Sequence, residues 1–253
     1  MREVLKQVRT RRSITILALT LLTNLVVLWS HQRLLVLAAG SVLMCFLPGF
    51  LLTSVLLSGR EFVDWLEVAV LTCGLGFTTL ILGTLGLHYL PGPLRPVHFL
   101  ALYDVIILML TVTASLRGSV LVIGRPIRSR YLVLLALILI AAFFRLANLG
   151  YSEFQGDEAR ALLMAAGAIR GEDGILFLHR KGPAEILVPT AFYTLSGTTN
   201  ELVARLPFAV ANIAGLLSTY ALARRLFPGR DTVPVVALGL LAVDGYLVAF
   251  GRI

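Results

Sequence analysis

Charge is what this chain has least of. Only 14% of its 253 residues are Asp, Glu, Lys or Arg, against roughly 25% in a soluble globular domain. With 58% of residues in the apolar set and a mean hydropathy of +0.89, the composition excludes a soluble fold and indicates an integral membrane protein. Cysteine is nearly absent. Cys45 and Cys73 both fall in apolar runs, so they read as buried residues with no disulfide or metal role. A glycine-rich nucleotide-binding loop is also lacking. Acidic residues are outnumbered by basic ones, 14 to 22. In a soluble protein that balance would raise nucleic acid as a partner, but no basic stretch interleaved with aromatics supports it. The plainer cause is arginine in cytoplasmic loops, where the positive-inside bias places it.

What is present in quantity is long apolar sequence. A helix needs about 20 apolar residues to cross the hydrocarbon core. Windows near 13–30, 33–57, 65–90, 97–116, 131–148, 205–226 and 232–250 qualify. The predicted fold is all-α, a polytopic transmembrane helix bundle of about seven spans. Pro48 and Gly49 lie inside the second window and predict a kink there. The first window follows a basic start, as in a signal peptide, but no small-residue cleavage site follows it, so it reads as a retained helix.

Orientation follows from the basic residues. The amino terminus carries Arg2, Lys6, Arg9, Arg11 and Arg12 against the single acid Glu3, and is expected in the cytoplasm. Four crossings later "RGSVLVIGRPIRSR" holds Arg117, Arg125, Arg128 and Arg130 with no acid. The span at 131–148 then delivers residues 149–204 to the outer face of a membrane read as the cytoplasmic (plasma) membrane. The apolar stretch 184–197 would cover only about 20 Å and contains Pro189. Were it a crossing, Arg224, Arg225 and Arg230 would face outward, so it reads as an amphipathic or re-entrant helix at the outer surface.

The outer loop holds Glu153, Asp157, Glu158, Glu172, Asp173, Glu185 and Glu201, seven of the chain's fourteen carboxylates. Within it "DEARALLMAAGAIRG" reads as an amphipathic juxtamembrane helix, with Leu162, Leu163, Ala166 and Ile169 at helical spacing and Gly171 as the stop. Asp157 and Glu158 have two readings. They cap the helix and complement its dipole, or they act at a cavity mouth as general base or metal ligand. The basic run His179, Arg180, Lys181 is likewise either a solvated turn meeting lipid headgroups or a phosphate-holding element. An acidic and a cationic element in one outer loop favour the functional readings, because a reaction on a lipid phosphate needs both. Asp104 within a span is either a functional-site candidate, as an intramembrane acid, or, being early in its helix, a residue near the interface, the favoured reading. Asp244, about two turns inside the last span, is either a helix interruption with Gly245 or a cavity-lining group.

The order of these elements resembles a known family. Arg145 in "FRLANLG", then "GDEARALLMA", a basic "KGP", "ELVARLPFAVANIAGLLSTYALARRLF" and a span ending "VAFGRI" look like the amino-terminal module of the GT-C membrane glycosyltransferases. Within them the likeness is to the branch of protein O-mannosyltransferases and the lipid A aminoarabinose transferase. The resemblance covers residues 131–253, leaving 1–130 as a four-span unit of packing or partner contact. It implies an enzyme that takes a sugar from a polyprenyl-phosphate donor and passes it, with inversion, to an acceptor protein, lipid or glycan on the outer face. Asp157 matches the acceptor-binding base, and Glu158 its neighbour, which orders the site or a divalent metal in some members. Lys181, with Arg180 and His179 beside it, matches the residue facing the donor phosphate, and Arg252 matches a phosphate-binding arginine. Arg145 and Asp244 are expected to line the cavity. Family enzymes carry the acidic loop after their first span and continue for several more spans, so the chain reads as a fragment of a longer enzyme. The competing reading is a membrane protein that binds or moves polyprenyl-phosphate lipids without catalysis. A transporter fits less well, since no internal repeat appears.

Overall fold

The computed structural model describes residues 2–59, 64–119, 128–151, 153, 154, 156–178 and 182–251. Among them every regular element is helical. Helix α1 (Arg2–Trp29) precedes α2 (Arg33–Ser41) and α3 (Leu47–Leu56), which a π-helical turn (Val42–Phe46) joins into one span. Pro48 has no N–H, and its ring crowds the carbonyl four residues back, inside that turn. The kink expected at Pro48 takes the form of a locally widened helix.

Then follow α4 (Trp65–His88), α5 (Pro96–Leu116), α6 (Arg128–Leu146) and α7 (Gly156–Arg170). A short 3-10 turn (Ile175–Leu178) leads to α8 (Ala184–Ser196), α9 (Glu201–Leu226), α10 (Thr232–Val243) and α11 (Gly245–Phe250). The protein is a helical membrane protein. Five of its helical stretches are long and apolar enough to cross a bilayer: Thr10–Trp29, Arg33–Leu56, Trp65–His88, Pro96–Leu116 and Glu201–Leu226. The other two predicted spans are shorter apolar helices, Leu132–Leu146 and Thr232–Val243. The latter ends because Asp244 turns extended (ψ 116°) and accepts a hydrogen bond from Leu247 N at 2.8 Å, capping α11. The helix interruption read at Asp244 and Gly245 is present.

The tightest crossing is between the α2–α3 span and α4. A Cβ on Gly49 would overlap the carbonyl oxygen of Thr72, and one on Gly76 that of Cys45. Helix α8 lies at the centre, packed by α2, α4, α5, α7 and α9. Residues 186–195 are all buried, so α8 is no surface-lying amphipathic helix. A short apolar segment with no polar face is covered by protein on every side. Helix α7 packs on α8 through a stripe of small residues, Ala161, Ala165 and Ala168, while Leu163 points outward at 71% exposure. Of the other predicted apolar positions, Leu162 is buried, Ile169 packs on the core and Ala166 is half-buried, so Leu163 alone departs from the expected face. Helix α7 stops as expected at Gly171 (φ +79°), where Glu172 N bonds Gly167 O at 3.1 Å and Gly171 N bonds Ala168 O at 3.1 Å.

The bundle has two distinct ends. At one, Arg224 pairs with Asp64 and Arg225 with Glu67, both at 2.9 Å, and Arg12 Nη1 donates to Ser119 O at 2.8 Å. At the other, the turn between α4 and α5 docks on the end of α7, with Leu94 N donating to Ile169 O at 2.8 Å.

Candidate functional site

A cavity of about 950 Å³ opens at that second end. Helix α9 forms one wall with Ala204, Arg205, Phe208 and Asn212, which recur at helical spacing along a single stripe. Helix α7 supplies Asp157, Glu158, Ala161 and Leu162, and α11 supplies Gly245, Val248, Ala249 and Phe250. Tyr151, Glu153 and Glu185 complete the mouth, so four carboxylates face one space.

Asp157 is the second residue of α7 and is exposed, so its carboxylate stands in the positive field of the helix start while open to the cavity. Glu158 is held differently. Arg205 donates to both of its oxygens, Nε to Oε1 at 2.7 Å and Nη2 to Oε2 at 2.8 Å. Its third nitrogen, Nη1, donates to Leu149 O at 2.8 Å, and the guanidinium lies 5.4 Å from the centre of the Phe154 ring. Arg205 is only 4% exposed. A planar fork on a planar carboxylate, backed by an aromatic face, fixes both side chains.

Arg205 stands at the cavity end of α9. Twenty residues separate it from Arg225 at the opposite end of the same helix, which is about 30 Å of rise, a length that matches a hydrocarbon core.

Of the residues singled out in the sequence, Asp157 and Glu158 line the cavity together. Arg145 and Asp244 stand beside it. Arg145 is buried in hydrogen bonds to the carbonyls of Ala141, Leu241 and Ala242 and to the Asn212 side chain. Asp244 caps α11, and its neighbour Gly245 lines the cavity. His179, Arg180, Lys181 and Arg252 lie outside the described residues.

Both oxygens of Glu158, read from the sequence as a possible metal ligand, accept hydrogen bonds from Arg205. Among the described residues no group of three or more His, Cys, Asp or Glu side chains is placed to hold a metal. Sequence reasoning passed over Glu153, Glu185, Arg205 and Asn212. Arg205 had a signal: an arginine at the start of an apolar span needs an anion, and the acids lay in the preceding loop. Asn212, one amide in a long apolar helix, had none. Compared with known proteins, the chain matches no family model, no curated protein and no solved structure.

Proposed function

We propose that the protein is a membrane glycosyltransferase, or part of one, that passes a sugar from a polyprenyl-phosphate-linked donor to an acceptor hydroxyl on the outer face. The observation that carries this reading is a pair of adjacent carboxylates in one cavity: Glu158 has both oxygens bonded by Arg205, and Asp157 is solvent-exposed at the start of α7. Asp157 is proposed to take the proton from an incoming hydroxyl.

In the step proposed, the acceptor oxygen attacks the anomeric carbon and gives its proton to the Asp157 carboxylate. The bond from that carbon to the phosphate oxygen breaks, and its electron pair leaves with the phosphate. Attack from the face opposite the leaving group inverts the anomeric centre. Lys181, with Arg180 and His179, and Arg252, which follows the cavity residue Gly251 in sequence, are proposed to stabilise the phosphate charge as it develops. The fixed Glu158 orders α7 against α9 and so holds Asp157 in place. The basic amino terminus supports an orientation with the cavity away from the cytoplasm.

The full chain in proteoliposomes is expected to transfer sugar from a polyprenyl-phospho-hexose and not from a nucleotide sugar, with inverted anomeric configuration. An impermeant maleimide is expected to label Tyr151→Cys, an exposed position at the cavity mouth, from outside intact cells. Transfer with retention, or labelling only after lysis, would contradict the mechanism or the orientation respectively.

A further inference from the structure

We infer that Asn212 reads the sugar: its side-chain NH₂, fixed in direction by Arg145, donates a hydrogen bond to a neutral hydroxyl or ring oxygen of the sugar held in the cavity. The inference rests on the cavity being a sugar-transfer site.

Arg145 is fully buried, at 0% exposure. Its Nη1 donates to Ala242 O at 2.9 Å and Ala141 O at 3.3 Å, and its Nη2 to Leu241 O at 3.0 Å. The carbonyls of Leu241 and Ala242 are ones that the interruption at Asp244 leaves without the helix partners a continuous α10 would supply. The remaining nitrogen, Nε, donates to Asn212 Oδ1. The two ends of a side-chain amide are commonly hard to tell apart, but a guanidinium has no acceptor. The oxygen of Asn212 must therefore face Arg145, and its nitrogen must point elsewhere.

Asn212 is a lining residue of the cavity, and among the described residues its Nδ2 donates to none. Gly251 packs against the amide: a Cβ there would fall 2.6 Å from Asn212 Cγ and force one of them to shift. Bonded by an arginine and packed against a glycine, the amide is a preorganised donor.

The setting identifies the acceptor. Asn212 lies seven residues beyond Arg205 on α9, about 10 Å further from the helix start. Around it are Phe208, Val248, Phe250 and glycines, while the four carboxylates belong to α7, α8 and the segment before α7. A single neutral donor in apolar surroundings suits a neutral oxygen, whereas a phosphate would call for a cation with nitrogens to spare. The Arg145 and Arg205 nitrogens are already engaged. Carboxylates that accept and an amide that donates together match a polyhydroxylated ring, which offers both hydrogens and lone pairs.

Binding of a polyprenyl phosphate and of its hexosyl ester to the purified full chain tests this. Wild type is expected to prefer the ester. Asn212→Asp keeps an oxygen for Arg145 and replaces the NH₂ by a second acceptor. It is expected to lose the preference for the ester over the bare phosphate by about tenfold or more. A preference retained in Asn212→Asp overturns the inference and leaves the transferase reading standing. If wild type binds neither lipid, both fall together. Thermal unfolding monitors the fold; should Asn212→Asp melt early, Asn212→Ala, which removes the NH₂ and leaves no donor in its place, carries the same comparison.

Discussion

Arg145 and Arg205 are charges inside an apolar bundle, and each is satisfied by protein groups, as its burial requires. They are satisfied in different ways. Arg145 meets backbone carbonyls and one neutral amide, so it repairs a helix break. Arg205 meets a carboxylate with two parallel hydrogen bonds, so each charge depends on the other. Removing one member of such a pair leaves the other buried and uncompensated, at a cost of about 3–5 kcal/mol, whereas replacing both with apolar residues is often close to neutral. Arg205→Met is therefore expected to lower stability by that amount in detergent unfolding, and Arg205→Met combined with Glu158→Leu to recover most of it. A loss below about 1 kcal/mol for Arg205→Met would mean that the pair is solvated and does not fix α7 against α9.

At the scale of elements, the long helices were legible because hydropathy over a window of about 20 residues reports one thing only, the fit to a hydrocarbon layer. The stop of α7 at Gly171 and the interruption at Asp244 were legible too, since local chemistry sets both. Helix α8 was not: its apolar sequence fits a surface or a core equally, and only its neighbours decide that all its faces are covered. On α7 one position departs for the same reason. Leu162 and Ile169 pack inward as their hydrophobicity suggests, but Leu163 faces out where small residues meet the partner helix. The crossing of α3 and α4 makes the point testable. Gly76→Ala places a methyl group against the carbonyl of Cys45, and overpacking of this kind typically costs about 1–3 kcal/mol. The variant is expected to unfold at a lower temperature than wild type, and Gly74→Ala, where a Cβ meets open space, to change little. Equal effects at both positions would count against the close crossing.

Over the whole molecule, the amino-terminal helices and the elements after residue 130 pack as one body through α8 and α9. The first four spans thus form the wall behind α7, α8 and the cavity mouth. The ion pairs of Arg224 and Arg225 tie the opposite end of α9 to α4, about 30 Å away from Arg205 along the helix. The bundle is clamped by ion pairs at one end and hollowed at the other. Whether the hollow does chemistry depends on Asp157. The decisive measurement is sugar transfer from a polyprenyl-phospho-hexose by wild type and Asp157→Asn, with donor binding followed in the same preparations. Transfer is expected to fall by at least about 100-fold, the scale of a lost general base, while donor binding stays within about twofold of wild type, a difference under 0.5 kcal/mol. Equal transfer by the two proteins would contradict the assignment and make Asp157 a residue that serves only the start of its helix.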